Sequence, residues 1–543
     1  MADLAVRPAY RWAWLLAAVL TLLNAAKPAV VDDTAYLFFA RHLAHHPGDP
    51  YGFELFWYAE PQPAMQILMP PVLPCWLAAG ISLFGEHLFL LKLWLFPFAA
   101  ILCRSTAWLV TRFAIRQERT GLLVIALSPA VLVLFDFMLD IPALALGLTA
   151  LTAFIHGCDR RSLRWVAAAG LLAGLAVQTK YSLLFLPAVF VWYALLYRRW
   201  LEALLAVSLA VAVFGSWEWW LIQKYGHSHF LFHAKGQSAE GGGVTDMVAM
   251  RLKLVPSLLG QFGGLMVGVS LWVCAGFRPR AAFVGALVCA AMLLPVFLLP
   301  HSRWRSGGLM FQLLGLAVFA AHGDAAWALL RKTGAKDWAF LLGWVLLEIA
   351  GALGLSPFPA ARRMLGVCFA LSLLGVCAVG IGGIPLRRAA VGSAVYALLF
   401  FAVDCWDAYP EKTLAERAGE TARPGPGEIV WYNGHWGFQY YCDRVGMKPV
   451  IPGHSTLKPG DWLVYPLLPD DDDGFFRPWH GGASFFIDPN HVENVATWTW
   501  NDVLPAQTVP NLYGGDVPIQ NRDYPRLKVG VFRVVAEWSP ERE

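Results

Sequence analysis

The chain consists of long apolar segments separated by short polar ones over its first 404 residues. A helix that spans a membrane needs roughly 20 apolar residues. The segments that fit this pattern, about thirteen in number, are 12–31, 88–110, 121–135, 141–157, 165–179, 182–197, 201–222, 258–277, 281–299, 308–330, 337–354, 363–384 and 389–404. They predict an all-α polytopic membrane body. Residues 70–84 are apolar but short and rich in proline, so we expect a re-entrant or interfacial helix there.

Two longer regions depart from this pattern. Residues 32–87 have mixed polarity and are predicted to form a first external loop with interfacial helices. Residues 405–543 are polar and rich in aromatic residues, with strand patterns at 428–432, 461–465 and 529–535 and a short helix at 437–445. The chain is therefore predicted to have two domains, a membrane domain at 1–404 and a small α/β domain at 405–543.

The composition agrees with a membrane protein. Of the 543 residues 57% are hydrophobic and only 15% are charged, which is too apolar for a soluble protein of this length. We expect membrane lipids among its partners and no nucleic acid.

The position of the basic residues predicts the topology. If Arg7 and Arg11 are cytoplasmic, every second loop should be basic, because cytoplasmic loops are enriched in Lys and Arg. The loops that satisfy this rule carry Arg112, Arg116 and Arg119; Arg160, Arg161 and Arg164; Arg198 and Arg199; Arg278 and Arg280; Arg331, Lys332 and Lys336; and Arg387 and Arg388. This pattern places the loop at 32–87 and the domain at 405–543 on the extracytoplasmic side.

Two adjacent carboxylates, Asp32 and Asp33, follow the first apolar segment. Ionisable groups at a membrane boundary are costly and are usually kept for a task. Adjacent carboxylates also raise each other's pKa, which suits proton abstraction. The alternative is that they only end the helix at the interface. Tyr36 would share a helical face with Asp32.

A second external loop adds two acids and is followed by an external lysine. Asp136 and Asp140 are one helical turn apart, although Asp140 could simply begin the helix that continues at Ile141 and Pro142. Lys180 lies where an outward-going span ends, on the side that disfavours basic residues. It could reach lipid headgroups, or it could bind a phosphate as a compact point charge.

Further cations are predicted on the same side. They are Arg362 and Arg363, with His301 and Arg303 as additional candidates for contact with a substrate. External carboxylates and cations together suggest a site for an anionic lipid headgroup, because a phosphate leaving group needs cationic stabilisation and an acceptor hydroxyl needs a base. A divalent metal is possible, but the histidines at 227, 229 and 233 and the aspartates at 470–473 lack a strong ligand spacing.

Five motifs in order resemble the GT-C class of membrane glycosyltransferases, in particular bacterial relatives of protein O-mannosyltransferases and of the lipid A aminoarabinose transferase. They are Asp32-Asp33-Thr34-Ala35-Tyr36 with Ala40-Arg41; Met69-Pro70-Pro71 through Leu83-Phe84-Gly85-Glu86 to Leu91-Lys92-Leu93; Asp140-Ile141-Pro142; Gly174 to Tyr181; and Arg362-Arg363-Met364-Leu365. Met69, Lys92 and Arg363 depart from the residues usual in the class.

The resemblance implies transfer of a sugar from a polyprenyl-phosphate donor to a lipid, glycan or protein acceptor, outside a bacterial cytoplasmic (inner) membrane. Asp32 would be the base, with Asp33 and Asp140 orienting groups around it. Lys180 and Arg362 or Arg363 would hold the donor phosphate. A transporter or flippase of lipid-linked sugars is the alternative. It would show inverted repeats and charges near the bilayer midplane, whereas here the charges cluster on one side and no repeat is visible.

Overall fold

The chain is predominantly helical in a computed structural model, which describes residues 2–114, 117–239, 244–305, 308–330, 335–356, 358–382, 387–467, 485, 487–500, 504–522 and 527–541. The aspartates at 470–473 lie outside the described residues. The helices up to residue 225 are Ala2–Ala25 (α1), Asp33–His45 (α2), Ala64–Ile67 (α3), Val72–Phe84 (α4), Leu88–Trp94 (α5), Phe96–Phe113 (α6), Glu118–Ala126 (α7), Pro129–Leu132 (α8), Asp140–Arg160 (α9), Leu163–Val177 (α10), Leu186–Tyr197 (α11) and Trp200–Tyr225 (α12).

The later helices are His229–Ala239 (α13), Val244–Leu265 (α14), Val267–Phe277 (α15), Pro279–Leu298 (α16), Gly308–Leu330 (α17), Ala335–Leu355 (α18), Leu365–Gly382 (α19), Arg387–Thr421 (α20), Trp436–Arg444 (α21) and Val509–Gly514 (α22). Short 3-10 turns cover Tyr181–Phe185 and Ala361–Met364. The strands are Glu54–Trp57 (β1), Glu60–Pro63 (β2), Val430–Tyr432 (β3), Lys448–Pro449 (β4), Trp462–Leu467 (β5), Val492–Trp500 (β6), Ala506–Gln507 (β7), Gln520–Asn521 (β8) and Leu527–Val534 (β9).

Fewer helices are long enough to cross a membrane than the sequence predicted. In the described part of the chain seven qualify by length and composition, namely Leu88–Phe113, Asp140–Arg160, Trp200–Tyr225, Pro279–Leu298, Lys336–Leu355, Ala361–Val379 and Ala389–Thr421. An eighth span would be the pair Leu254–Leu265 and Val267–Gly276, which is bent by 68°. The chain is thus a multi-pass membrane protein, but a count of about thirteen spans is not confirmed.

The difference arises because several predicted spans are short or broken helices. The segment predicted at 121–135 divides into α7 and α8, with Pro129 opening the second helix. The segments near 165–179 and 182–197 form apolar helices that are shorter than a bilayer is thick. Hydropathy reports that a segment is buried in apolar surroundings, and it does not distinguish protein from lipid as the surroundings.

The first loop is a folded unit. α2 buries an apolar face that includes Leu37 and Phe39, and β1 and β2 form an antiparallel hairpin with Trp57 opposite Glu60. α4, predicted as a re-entrant or interfacial helix, is a helix of 13 residues. Arg41 on α2 forms an ion pair with Glu86 at 2.7 Å, so two of the sequence motifs contact each other.

The C-terminal region contains a five-stranded sheet in the order β4-β3-β5-β9-β6. β3 is parallel to β4 and to β5, whereas β9 is antiparallel to β5 and to β6. The three predicted strands and the predicted short helix are present here. The expected boundary at residue 404 falls inside α20, which is one continuous helix of 35 residues. Ala59, from the turn of the first-loop hairpin, packs into the core of this sheet, so the two regions share packing.

Glycines allow two long helices to approach closely. A Cβ on Gly315 of α17 would overlap the carbonyl oxygen of Leu259 on α14, and one on Gly263 of α14 would overlap that of Phe311 on α17. Small residues at such crossings let helix backbones pack against each other inside a membrane. The close contact between α14 and α17 therefore requires glycine, which has no Cβ, at positions 263 and 315.

We expect Gly315→Ala to lower the thermal unfolding midpoint of the detergent-solubilised protein, because the added methyl group must push two backbones apart at a cost of roughly 1–3 kcal/mol. Gly323→Ala is the matched control on the same helix, where a Cβ meets nothing within 4 Å. Its midpoint should be unchanged or slightly higher, since alanine favours helices. Equal midpoints for both variants would contradict the close approach.

Candidate active site

A cavity of about 630 Å³ gathers most of the charged residues predicted from the sequence. Its lining includes Asp32, Tyr36, Asp140, Lys180, Arg362 and Arg363. These residues come from four separate places in the chain: the start of α2, the start of α9, the turn after α10 and the 3-10 turn before α19. Residues far apart in sequence thus form one site with two carboxylates and three cations.

Asp32 is held by an arginine. Its Oδ2 accepts a hydrogen bond from Nη1 of Arg362 at 2.6 Å. Asp32 precedes α2, and the residue before it, Val31, has a φ of 47°. A positive φ is a genuine outlier for a β-branched residue. The chain bends sharply at Val31, and Asp32 belongs to the lining of the cavity.

Asp140 is held by a lysine. It is the first residue of α9, as its helix-start pattern predicted, and its carboxylate forms an ion pair with the ammonium group of Lys180. Burial lowers the pKa of Lys180, and Arg363 and Arg362 lower it further, while Asp140 opposes the shift. Each carboxylate in the cavity therefore has one cationic partner.

Arg363 is the third cation, and its Nε is buried without a hydrogen-bond partner in the described residues. Its guanidinium group lies 4.2 Å from the ring centroid of Phe358, a stacking contact that fixes the plane of the group. Two carboxylates and three cations leave one positive charge in excess. A buried unpaired cation is costly, so the cavity is suited to a singly charged anion.

Asp33 and Asp136, which were predicted beside Asp32 and Asp140, do not line this cavity. Asp33 is fully buried and accepts a hydrogen bond from the backbone N–H of Val30 at 3.2 Å. Burial raises the pKa of Asp33 well above its usual range, with a further contribution from the charge of Asp136. The pair of adjacent acids is thus divided, because successive residues at a helix start point in different directions. A direct catalytic role of Asp33 gains no support from this position.

Asp136 belongs to a separate buried ion network. It forms ion pairs with Lys27 and Lys92, both at 2.6 Å, and accepts a hydrogen bond from the Tyr513 hydroxyl at 3.0 Å. Lys27 also pairs with Asp404 at 2.5 Å. This network was not predicted from the sequence. Lys92 stands out there only as a departure from the GT-C motif. Lys27 lies inside an apolar segment, and a single lysine in such a segment is a signal that could have indicated a buried ion pair.

The remaining sequence candidates lie elsewhere. His301 and Arg303 are in the turn after α16, where Leu299 and Trp304 accept hydrogen bonds from Asn521, and neither residue lines the cavity. Cys405 and Cys442 of the C-terminal region are both free thiols.

The loop histidines bind backbone carbonyls. His229 contacts the carbonyl of Leu68 at 2.8 Å, and His233 contacts that of Met65 at 3.2 Å. Burial lowers the pKa of His229 to about 3. They attach α13 to the first loop. In the described part of the chain no group of three His, Cys, Asp or Glu residues could hold a metal ion.

The C-terminal region completes the cavity. Val509, Tyr513 and Gly514 of α22 and Trp436 of α21 are among its lining residues. Asp407 on α20 accepts hydrogen bonds from the backbone N–H groups of Thr508 and Val509 at 2.8 and 2.7 Å. The sequence predicted a separate domain here and gave no indication that it reaches the site.

No protein-family model and no curated protein matches the chain. Similar solved structures include ArnT from Cupriavidus metallidurans bound to undecaprenyl phosphate, 14% identical over 83% of this chain and 91% of that chain, with a TM-score of 0.40. The oligosaccharyltransferase AglB from Archaeoglobus fulgidus, in complex with an inhibitory peptide and a dolichol-phosphate, is 14% identical over 82% of this chain and 64% of that chain, with a TM-score of 0.47. The arabinofuranosyltransferase AftD from Mycobacteria is 14% identical over 97% of this chain and 40% of that chain, with a TM-score of 0.44. At these identities and TM-scores the matches assign neither a class nor an activity to this chain.

We expect Asp136→Ala to destabilise the protein strongly, by roughly 3–5 kcal/mol, because it leaves two buried lysines without their shared counter-ion. Asp324→Ala is the control: its pair with Arg278 is exposed on both sides, and exposed pairs contribute about 0–1 kcal/mol. Yield and unfolding midpoint in detergent measure the difference. An Asp136→Ala protein as stable as the control would show that the network is not structural.

Proposed function

We propose that the protein is an integral membrane glycosyltransferase that moves a sugar from a polyprenyl-phosphate donor to an acceptor hydroxyl on the extracytoplasmic side of a bacterial inner membrane. The observation that carries the proposal is the cavity with two carboxylates and three cations. The GT-C motif order and the predicted topology support it. A donor of this kind is a phosphodiester with one negative charge, which matches the single excess positive charge.

The ion pairs explain how one cavity can serve both the donor and the acceptor. Arg362 and Lys180 neutralise Asp32 and Asp140 through their ion pairs. An entering phosphate competes for these cations and for Arg363, and it weakens the hold on Asp32. The carboxylate then becomes a stronger proton acceptor at the moment when the donor is in place.

The transfer step follows from these positions. The acceptor oxygen forms a bond to the anomeric carbon as its proton passes to the Asp32 carboxylate. The bond between that carbon and the phosphate oxygen breaks, and its electron pair leaves with the polyprenyl phosphate. Lys180, Arg362 and Arg363 stabilise the second negative charge that develops on the phosphate. Asp140 holds the Lys180 ammonium group in place.

Binding of undecaprenyl phosphate, the lipid released by transfer, should weaken when a cation of the cavity is removed and should not weaken when the Asp32 charge is removed. For the chain in lipid nanodiscs, Lys180→Ala and Arg363→Ala should weaken binding of undecaprenyl phosphate roughly 10- to 100-fold, the scale of a charge-assisted hydrogen bond. Asp32→Asn should bind at least as tightly as the native protein, since Arg362 loses its competing partner. Arg303→Ala, an exposed cation outside the cavity, is the control and should bind normally. Unchanged affinity in both cation variants would place the phosphate elsewhere.

Turnover tests the base. Asp32→Asn should reduce release of undecaprenyl phosphate from an undecaprenyl-phosphate sugar by about 100-fold or more in membranes that contain the native acceptor, the usual scale for a general base. Glu54→Gln, at an exposed acid of the first loop, should retain activity. Near-normal release by Asp32→Asn would reject the role of the base. Movement of labelled lipid between leaflets without any release would favour a flippase.

A further inference from the structure

A group of ring side chains, here called the aromatic cluster, lies next to the charged residues and takes no part in the step described above. It comprises Trp57 and Tyr58 of the first-loop hairpin and His435 and Trp436 of the C-terminal region. Trp57, Tyr58 and Trp436 line the same cavity as Asp32. The His435 ring lies 4.3 Å from the Trp57 ring and 4.2 Å from the Tyr58 ring, measured between centroids.

Backbone strain is concentrated at this cluster. In the described residues five side-chain-bearing positions have positive φ: Val31, Tyr58, Arg161, Arg198 and Trp436. Arg161 and Arg198 are ordinary left-handed helix caps. The other three all line the cavity. Tyr58 has a φ of 61° in a two-residue hairpin turn, where glycine is the usual choice. Strain of this kind persists where a side chain is needed in a particular place.

His435 lies behind the rings that line the cavity and is not itself among the lining residues. Nε2 of Gln439 donates to the carbonyl of Phe56 at 2.9 Å, so the Gln439 Oε1 accepts from Nδ1 of His435 at 2.8 Å. This fixes the tautomer with a lone pair on Nε2, which is buried and has no partner in the described residues. Burial lowers the pKa of His435 to about 4, against the opposing influences of Gln439 and Asp32. The ring is thus neutral, and Nε2 can only accept.

The chemistry of the cluster is that of carbohydrate recognition. A sugar ring has an apolar face of C–H groups and a rim of hydroxyls. Partly exposed indole and phenol rings provide flat, rigid apolar surface at low entropic cost.

We propose that the aromatic cluster is a subsite that binds a saccharide ring beside Asp32, with ring stacking on Trp57, Tyr58 and Trp436, the three members that line the cavity. This rests on the proposed function and extends it, because it makes the acceptor a glycan. The donor sugar would offer the same ring chemistry, so the experiment distinguishes the two sources.

The test measures saturation transfer by NMR from the full chain in lipid nanodiscs to methyl glycosides of glucose, mannose, galactose and arabinofuranose, each at about 10 mM to detect millimolar binding. At least one glycoside should show transfer, and the signal should fall fivefold or more in Trp57→Ala and Trp436→Ala. It should recover largely in Trp57→Phe, which keeps a stacking surface. Trp165→Ala, an exposed tryptophan outside the cavity, is the control. No transfer from any glycoside, or transfer that survives both alanine variants, overturns the proposal.

Tyr58→Gly separates a binding role from a structural one. Glycine relieves the strained φ, so the unfolding midpoint should be equal to or above that of the native protein while glycoside binding falls. A lower midpoint together with unchanged glycoside binding would mean that Tyr58 only supports the hairpin, which would count against the subsite.

Binding experiments with two lipids distinguish the saccharide subsite from the phosphate site. They also show whether the bound ring belongs to the acceptor or to the donor. Undecaprenyl phosphate should bind the Trp57→Ala and Trp436→Ala variants normally. If it fails to bind even the native protein while glycosides still bind, the proposed function falls and the saccharide subsite stands. For an acceptor ring, glycosides should bind together with undecaprenyl-phosphate glucose. If that lipid displaces them and undecaprenyl phosphate does not, the ring belongs to the donor, and the assignment of a glycan acceptor is overturned.

Discussion

The buried carboxylate of Asp136 is the point on which the site depends. It lies between the ammonium groups of Lys27 and Lys92, at 2.6 Å from each. A charge in apolar surroundings must be paired, so these contacts are strongly enforced. Lys27 shortly precedes Asp32, and Asp136 shortly precedes Asp140. Pairing Lys27 with Asp136 therefore brings the two cavity carboxylates together, although they are far apart along the chain.

The same network joins the C-terminal region to the membrane body. Tyr513 donates to Asp136, and Lys27 pairs with Asp404 on α20. Asp407, also on α20, binds the start of α22. Since α22 and α21 contribute part of the cavity wall, the C-terminal region acts as a wall of the site. A charge network beneath the cavity and an aromatic cluster within it thus connect regions that the sequence presents as separate domains.

Charge pairing within the cavity follows the same physical rule with a different outcome. The network around Asp136 is closed in the sense that the charges of Lys27 and Lys92 are balanced by those of Asp136 and Asp404. In the cavity the balance is incomplete, because Arg363 has no carboxylate of its own and its Nε lacks a partner. The closed network contributes structure, and the incomplete one leaves room for an anion.

The sequence by itself determined the helical membrane body, the strands at 430–432, 462–467 and 527–534, and most of the charged residues of the cavity. These features can be recognised from local composition. Apolar runs indicate the helices, and β-branched residues indicate the strands. Ionisable residues at the ends of apolar helices indicate the site, because such groups are costly at a membrane boundary. The tertiary structure decided which of those charges meet. It separated Asp33 from Asp32, since successive residues at a helix start face different directions. It separated Asp136 from Asp140, since Asp136 lies in the bend before α9 and not on the helix. It also showed apolar helices too short to span a bilayer, because hydropathy does not tell protein surroundings from lipid. The aromatic cluster was beyond sequence reasoning, as its rings come from residues 57–58 and 435–436 and meet only when a strained hairpin packs against the C-terminal sheet.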